Sequence, residues 1–221
     1  RNFRHLDAAC GTGVLIAMTR RAGWRSVGFD LSWAMLSAGR KERGALPVIQ
    51  ADLRALPVQN LHFITCLFDS MNFLLEEEDL RQTFVSFYEA LAVGGIVYFD
   101  MVTERMMVEH FADQIWTEEN DGFHTTWANT YDSDRKICST RVQANTGAVS
   151  ITRERAYPTT RIMQLLESAG FTLLGVFDAE TWRPPTAKTT RIDFIAAKKP
   201  SSSLLRRVPC LTEEIHRFLQ G

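Results

Sequence analysis

Apolar positions in the first hundred residues switch repeatedly between two periods. Residues 3–9 form a short apolar run that reads as a strand and closes at the turn Cys10-Gly11-Thr12-Gly13. Val14, Leu15, Met18 and Ala22 then recur at helical spacing until Gly23 stops the pattern. A second strand spans 26–30, and Ser32 is placed to cap a helix carrying Met35, Leu36 and Ala38. A third strand, 46–50, is entered through Pro47, and the continuous apolar run 62–68 predicts a strand buried on both faces. Leu80, Phe84, Phe87 and Leu91 mark the inner face of an amphipathic helix over 77–92, which Gly94-Gly95 breaks before a fifth strand at 96–101. Such alternation through short links requires right-handed crossovers, hence a largely parallel sheet covered by helices on both faces.

From Gly122 to Tyr157 the pattern changes to two or three antiparallel strands. Phe123, Trp127 and Tyr131 alternate, 132–136 is a polar turn, 137–144 alternates again, and Asn145-Thr146-Gly147 supplies a second turn before 149–157. A helix at 159–169, with Ile162, Leu165 and Leu166 inward, stops at Gly170; strands at 171–177 and 191–197 follow. Residues 200–203 read as a linker, and 211–219 as a short amphipathic helix capped by Thr212. The expected fold class is α/β: a seven-stranded, mostly parallel sheet with one reversed strand near its edge, flanked by helices, with an antiparallel β insertion after the fifth strand. The chain divides into core 1–112, insertion 113–157, a return to the core at 158–199, and a linker and tail helix at 200–221.

The strand–glycine turn–helix segment is a generic start for nucleotide binding, because glycines admit a ligand close to the backbone and the helix offers unpaired N–H groups. Several cofactors use such a turn. The dinucleotide fingerprint wants a small residue three places after the second glycine, where this chain has Ile16, and Asp7 inside the strand is out of character for it. An acid at the tip of the second strand, Asp30, suits two vicinal ribose hydroxyls. Asp7, Asp30 and Asp52 all fall at carboxyl ends of strands, where open parallel sheets bind ligands.

Asp7, Gly11 and Gly13 resemble the first motif, D-x-G-x-G-x-G, of the class I (Rossmann-like) S-adenosylmethionine-dependent methyltransferases, with Ala9 in place of the first glycine. The alanine is compatible with that turn if its φ stays negative. The resemblance implies that Asp7, Ala9, Cys10, Gly11, Thr12 and Gly13 lie against the methionine part of the cofactor. Gly28-Phe29-Asp30-Leu31-Ser32 with Met35-Leu36 resembles the next motif, which places Asp30 on the ribose and Leu31 and Met35 against adenine. Gln50-Ala51-Asp52-Leu53 resembles a third, with Asp52 accepting from the adenine amine and the Leu53 N–H serving a ring nitrogen. Phe68, Asp69 and Ser70 would stand beside the sulfonium. The implied cofactor is S-adenosylmethionine, leaving as S-adenosylhomocysteine, with no metal.

The form Phe68-Asp69-Ser70-Met71-Asn72-Phe73 is similar to that of small-molecule methyltransferases, as is the return through Glu154-Arg155-Ala156-Tyr157. The Asn/Asp-Pro-Pro-aromatic motif of exocyclic-amine DNA methyltransferases is absent. Glu76–Glu78, which imitate the glutamate loop of protein arginine methyltransferases, precede a helix whose dipole they favour. Cys210 lies in the tail, far from where a nucleophile for cytosine methylation would sit. A nicotinamide-dependent reductase, a cofactor-holding module without catalysis and a protein or nucleic-acid methyltransferase are the alternative readings. For proton removal from the nucleophile the candidates are Asp69, His124 and Tyr157, with His124 as an accessory base to alignment and desolvation.

Composition narrows partners. With 221 residues, 45% apolar and 23% charged, the chain is an ordinary globular one, and its formal charge of −1 exerts no pull toward nucleic acid. The basic clusters Arg20-Arg21, Arg40-Lys41 with Arg43, and Arg206-Arg207 read as helix ends. Cys10, Cys66, Cys138 and Cys210 are scattered and form no C-x-x-C pair, which fits a reducing cytoplasm. No apolar run approaches the ~18 residues of a membrane span. The expected partner is a small-molecule substrate, with no nucleic acid and no membrane, for a monomer or homodimer. Residues 1–5 lead straight into the first strand, whereas related enzymes place helices there that close over the cofactor. The expectation is an open pocket, or one closed by the tail helix or a second subunit. Arg153 and Arg155, if turned toward the cavity, would indicate an anionic substrate.

Overall fold

Alternation along β1 (Arg4–Ala8) sets the two faces of the central sheet: Leu6 and Ala8 point one way, His5 and Asp7 the other, and all four are buried. The computed structural model describes residues 3–120 and 122–220. Seven strands lie in the order β10 (Phe171–Asp178), β11 (Arg191–Lys198), β5 (Leu91–Val102), β4 (Leu61–Cys66), β1, β2 (Arg25–Asp30), β3 (Val48–Gln50). All run parallel except β11, which is antiparallel to both neighbours. The face bearing Leu6, Ala8, Phe29, Ile64, Phe99 and Phe194 packs against α3 (Glu77–Ala90) and α5 (Thr159–Ser168) through Phe84, Phe87, Ile162, Leu165 and Leu166. Phe99 stacks on Phe194 with ring centroids 5.0 Å apart, which fixes the reversed strand against its neighbour.

The opposite face receives α1 (Val14–Arg21) at Gly28, where a Cβ would lie 2.1 Å from Ile16 Cδ1, so only glycine lets the helix sit this close. That contact also sets the helix phase. Ile16 and Thr19 turn inward, while Val14 and Met18 of the expected apolar stripe are exposed. Thr19 can be buried because its hydroxyl donates to Ser26 Oγ at 2.7 Å and lies 2.9 Å from the Leu15 carbonyl. Ser32 caps α2 (Trp33–Arg43) as expected, accepting from the Met35 N–H at 3.3 Å. Helix α3 stops at Ala90, before the two glycines, because Leu91 already pairs with Leu61 and begins β5.

After β5 the chain turns through α4 (Glu104–Met106) and a π-helical turn, Met107–Phe111, into a separate antiparallel sheet. It has four strands, three of them within the expected span 122–157 and one ahead of it: β6 (Ile115–Asn120), β7 (Phe123–Asp132), β8 (Ile137–Ala144) and β9 (Val149–Arg155). Glu118 and Glu119 mask the alternation of β6, which Trp116 anchors by stacking on Trp127 at 5.5 Å. The base of this sheet is a second small core of Val102, Met107, Cys138 and Ala156, against which Tyr131 packs. The tail is one helix, α6 (Ser202–Gln220), running through Pro209 where a linker and a shorter helix were expected. Thr212 does not cap it: its hydroxyl donates to the Val208 carbonyl at 3.0 Å within the helix, and Pro209 forfeits only one backbone bond. His216 of α6 meets the Trp182 carbonyl in the β10–β11 connection. Among the described residues no helix is long and apolar enough to cross a membrane.

Candidate active site

The turn after β1 is built around Asp30. Its Oδ2 accepts from the Gly11 N–H at 2.7 Å and its Oδ1 from the Ser32 N–H at 2.8 Å, so the carboxylate is aimed by two main-chain donors. A carboxylate has about four lone-pair directions, and two remain for a ligand. Gly13 has φ +78°, and a Cβ there would meet Leu46 Cδ1 at 2.7 Å, so this position needs glycine on both counts. Ala9 does not keep a negative φ: it sits at +56°, left-handed backbone that costs an alanine about 1–2 kcal/mol. Cys10 turns away into the Ile16–Leu36 cluster, where burial pushes its thiol up to about 12, so it offers the site only main chain. Thr12 abuts Gly39 of α2 through its carbonyl oxygen. Next to Asp30 the side chains of Leu31 and Met35 are exposed although apolar, as is Phe68 in the turn after β4.

Asp7 lies behind this turn, 5% exposed, and accepts from the Thr65 hydroxyl at 2.8 Å. Thr65 lies 2.9 Å from His5 Nε2, and His5 Nδ1 lies 3.0 Å from Ser26 Oγ. With Thr65 donating to Asp7, His5 donates from Nε2, which leaves Nδ1 to accept from Ser26. Burial lowers the His5 imidazole to about 4 and raises the Asp7 carboxyl to about 6, the latter helped by the nearby Asp30 charge and opposed by the Thr65 bond. The sequence singled out Asp7 but not the His5–Thr65 chain that holds it; the only sign was a polar residue alternating with Leu6.

Asp52 is engaged more than expected. Arg54 grips both its oxygens, at 3.0 Å from Nε and 2.6 Å from Nη2, and also reaches Asp79 at 2.8 Å. The guanidinium bond keeps the Asp52 carboxyl below its ordinary range, so it is a fixed acceptor. Leu53 begins a short 3-10 turn and packs its side chain on the main core.

The turn after β4 is strained and stapled. Phe68 and Asp69 are consecutive left-handed residues, at φ +59° and +52°. The Asp69 N–H donates to Asp100 Oδ2 at 3.0 Å and Ser70 donates to the Leu67 carbonyl at 2.8 Å. Asn72, fully buried, then joins three segments: its Nδ2 donates to the carbonyls of Val102 at 3.1 Å and Arg155 at 2.9 Å, and its Oδ1 accepts from the Val102 N–H at 3.0 Å. Sequence reasoning took Asn72 only as part of a six-residue string. Its role depends on β5 outrunning β4, which leaves the Val102 backbone without a strand partner on that side.

Asp69 also faces Arg191, 3.6 Å from its Nη1, and the same guanidinium contacts Asp100. Burial raises the Asp69 carboxyl, Arg191 pulls it down, and Asp100 pushes it back up. Tyr157 stands close by, but its hydroxyl donates to the Leu74 carbonyl at 2.7 Å and burial pushes it up to about 12, which suits a tie more than a base. His124 is apart from these groups. It pairs with Glu119 at 3.5 Å near the outer end of β7, seven residues and roughly 23 Å along the strand from Tyr131 at the inner end. The arginine expectation is also overturned: Arg153 is exposed, and Arg155 donates to the Leu75 carbonyl at 2.8 Å and lies over the Tyr157 ring.

A parallel sheet in this order, with one reversed strand and acids at the ends of its first three strands, is the framework of class I S-adenosylmethionine-dependent methyltransferases. Residues 6–95 match the family model described as a methyltransferase domain. A protein of Geobacillus sp. (strain WCH70) that carries a provisional methyltransferase name is 29% identical over 208 residues, spanning 88% of this chain and 84% of its own length. The glycine/sarcosine N-methyltransferase of Halorhodospira halochloris is 35% identical over 118 residues, 50% of this chain and 44% of that protein. In structure, a S-adenosylmethionine-dependent methyltransferase from Clostridium acetobutylicum ATCC 824 superposes with a TM-score of 0.77 at 22% identity, covering 89% of this chain and 84% of the other. The matched family model over residues 6–95, these relatives and the fold all support a class I S-adenosylmethionine-dependent methyltransferase.

Proposed function

We propose that the protein transfers a methyl group from S-adenosylmethionine to an amine or hydroxyl of a small molecule, and that the insertion over 113–157 selects that molecule. The reading rests above all on where the insertion is pinned. Asn72 and Tyr157 tie its return to the turn that begins with Asp69, so β9 adjoins the end of β4 where the methyl would be transferred. Small amine acceptors in the names of relatives, glycine and sarcosine among them, point the same way.

The residues present suit S-adenosylmethionine. Asp30 has two acceptor directions left for ribose hydroxyls, exposed Leu31 and Met35 offer apolar cover for a purine, and Asp52 is a fixed acceptor for its amine. Gly11 and Gly13 leave the backbone bare for the methionine end. When bound, the cofactor supplies a methyl group already activated by its sulfonium. What remains for the protein is to hold the nucleophile in line and exclude water, and alignment of this kind recovers about 7–11 kcal/mol of barrier. Exposed Phe68 and the strained Asp69 turn stand at the place where that alignment is made.

The test is transfer of radiolabelled methyl from S-adenosylmethionine into a fractionated cell extract. Label in the low-mass fraction, lost in the Asp30→Ala variant, supports the reading; label confined to protein or nucleic acid refutes it.

A further inference from the structure

Helix α6 carries more apolar surface than its own chain covers. Leu204, Val208, Ile215 and His216 are half-buried, and His216 meets the Trp182 carbonyl in the β10–β11 connection. Among the described residues, no side chain of α6 joins any of the three apolar clusters of the core. Beside the half-buried row, Leu211 is 53% and Phe218 84% exposed, and they stand one heptad apart along the helix. Together with Leu204, Arg207 and Glu214 they recur at spacings of three and four residues. The five positions therefore form a single stripe, Leu204-Arg207-Leu211-Glu214-Phe218. Pro209 falls on the opposite side of the helix and leaves the stripe unbroken. An open apolar stripe on a helix that its own core does not hold marks an interaction surface.

The stripe is its own complement when turned end for end. An antiparallel copy related by a two-fold axis at Leu211 sets Arg207 against Glu214 of the second copy and Glu214 against its Arg207. The same operation brings Leu211 onto Leu211 and Leu204 onto Phe218. A parallel copy would instead oppose like charges at both polar positions. Neither Arg207 nor Glu214 has an ion pair inside its own chain among the described residues, so both are available to the copy. A bilayer suits the stripe less. Helices that lie on anionic membranes keep a basic polar face, and here Glu213 and Glu214 interrupt Arg206, Arg207 and Arg217. We propose that α6 is a self-association surface, through which the chain pairs with a second copy of itself by antiparallel contact of this stripe. The inference goes beyond the methyltransferase reading and does not depend on it. Two-fold symmetry makes each contact twice, so one substitution alters two ion pairs at once. An interface one helix wide is small, so the association is weak and concentration-dependent.

Sedimentation equilibrium of the whole chain at low salt, from micromolar to near-millimolar concentration, tests this. The wild type should pass from monomer to dimer and no further, because a two-fold contact closes on itself. Arg207→Glu and Glu214→Arg should each weaken the dimer about fivefold to tenfold, and the two combined in one chain should restore it. Leu211→Glu, which puts two carboxylates on the axis, should leave a monomer with unchanged circular dichroism. Leu211→Cys in a Cys210→Ser background should give a disulfide-linked dimer on mild oxidation, whereas Leu205→Cys, off the stripe, should not. A monomer at every concentration, a dimer that survives Leu211→Glu, or charge reversals whose combination does not restore pairing would overturn the proposal. A chain that stays monomeric and binds phosphatidylcholine–phosphatidylglycerol vesicles through the same residues would also overturn it, and would assign the stripe to a lipid surface.

Discussion

Asn72→Ala removes three hydrogen bonds from a fully buried position in one step. The bonds are 2.9–3.1 Å long and join the turn after β4, the last residue of β5 and the end of β9. Each made bond contributes about 0.5–1.5 kcal/mol, and each buried group left without a partner costs about 1–3 kcal/mol. The Val102 N–H is the group most exposed to that penalty, since each carbonyl keeps a second lone pair that a neighbouring donor or water can use. The sum expected is about 3–5 kcal/mol, which for a chain of this length lowers the melting temperature by roughly 8–15 °C. Urea unfolding should be followed by tryptophan fluorescence, dominated in the insertion by the stacked Trp116 and Trp127, and separately by far-ultraviolet circular dichroism. The variant should lose the fluorescence transition before the dichroism transition, because the insertion is released from the sheet first. A loss under about 1 kcal/mol, or coincident transitions shifted equally, would refute the staple.

Three further outcomes follow from the same geometry. Asp30→Ala should weaken S-adenosylmethionine binding by about 2–4 kcal/mol in calorimetry, since it removes the ribose acceptor and frees the Gly11 and Ser32 donors; an unchanged dissociation constant would exclude the ribose role. Burial lowers His5 from 6.5 to about 4, so the folded state binds this proton less readily than the unfolded chain, and the stability His5 contributes is present above about pH 6.5 and lost as pH falls toward 4. The stability difference between wild type and His5→Gln should therefore shrink by roughly 2–3 kcal/mol over that window; a pH-independent difference would show that His5 does not titrate this way. Ala9→Gly, ordinarily a costly change, should here be neutral or stabilising by up to about 1 kcal/mol in thermal melts, because position 9 is left-handed.

Much of this architecture could be read before the structure, and the reasons differ by element. The strands and α3 follow from strong local periodicity, and Asp30 could be placed because one carboxylate at a strand end has few other uses. Helix α1 was read out of phase because its buried position is set by Gly28, a residue of another element. Strand β6 was missed because its outer positions are acidic, and the tail was read as a linker at 200–203 and a shorter helix at 211–219, whereas one helix runs through Pro209. Asn72, Arg191 and Asp100 lie far apart in sequence, and only the junction of β4, β5, β9 and β11 brings them together. No local pattern encodes that meeting. His124 stood out because histidine suits the chemistry, yet its position in β7 carries it outward to Glu119.

The central claim, that the Asp30 turn is built for S-adenosylmethionine, is tested most directly by isothermal titration calorimetry of the wild-type chain with S-adenosylhomocysteine and, in parallel, with NADH. The account predicts saturable one-to-one binding of S-adenosylhomocysteine and no heat from NADH. Saturable binding of NADH with none of S-adenosylhomocysteine would contradict it.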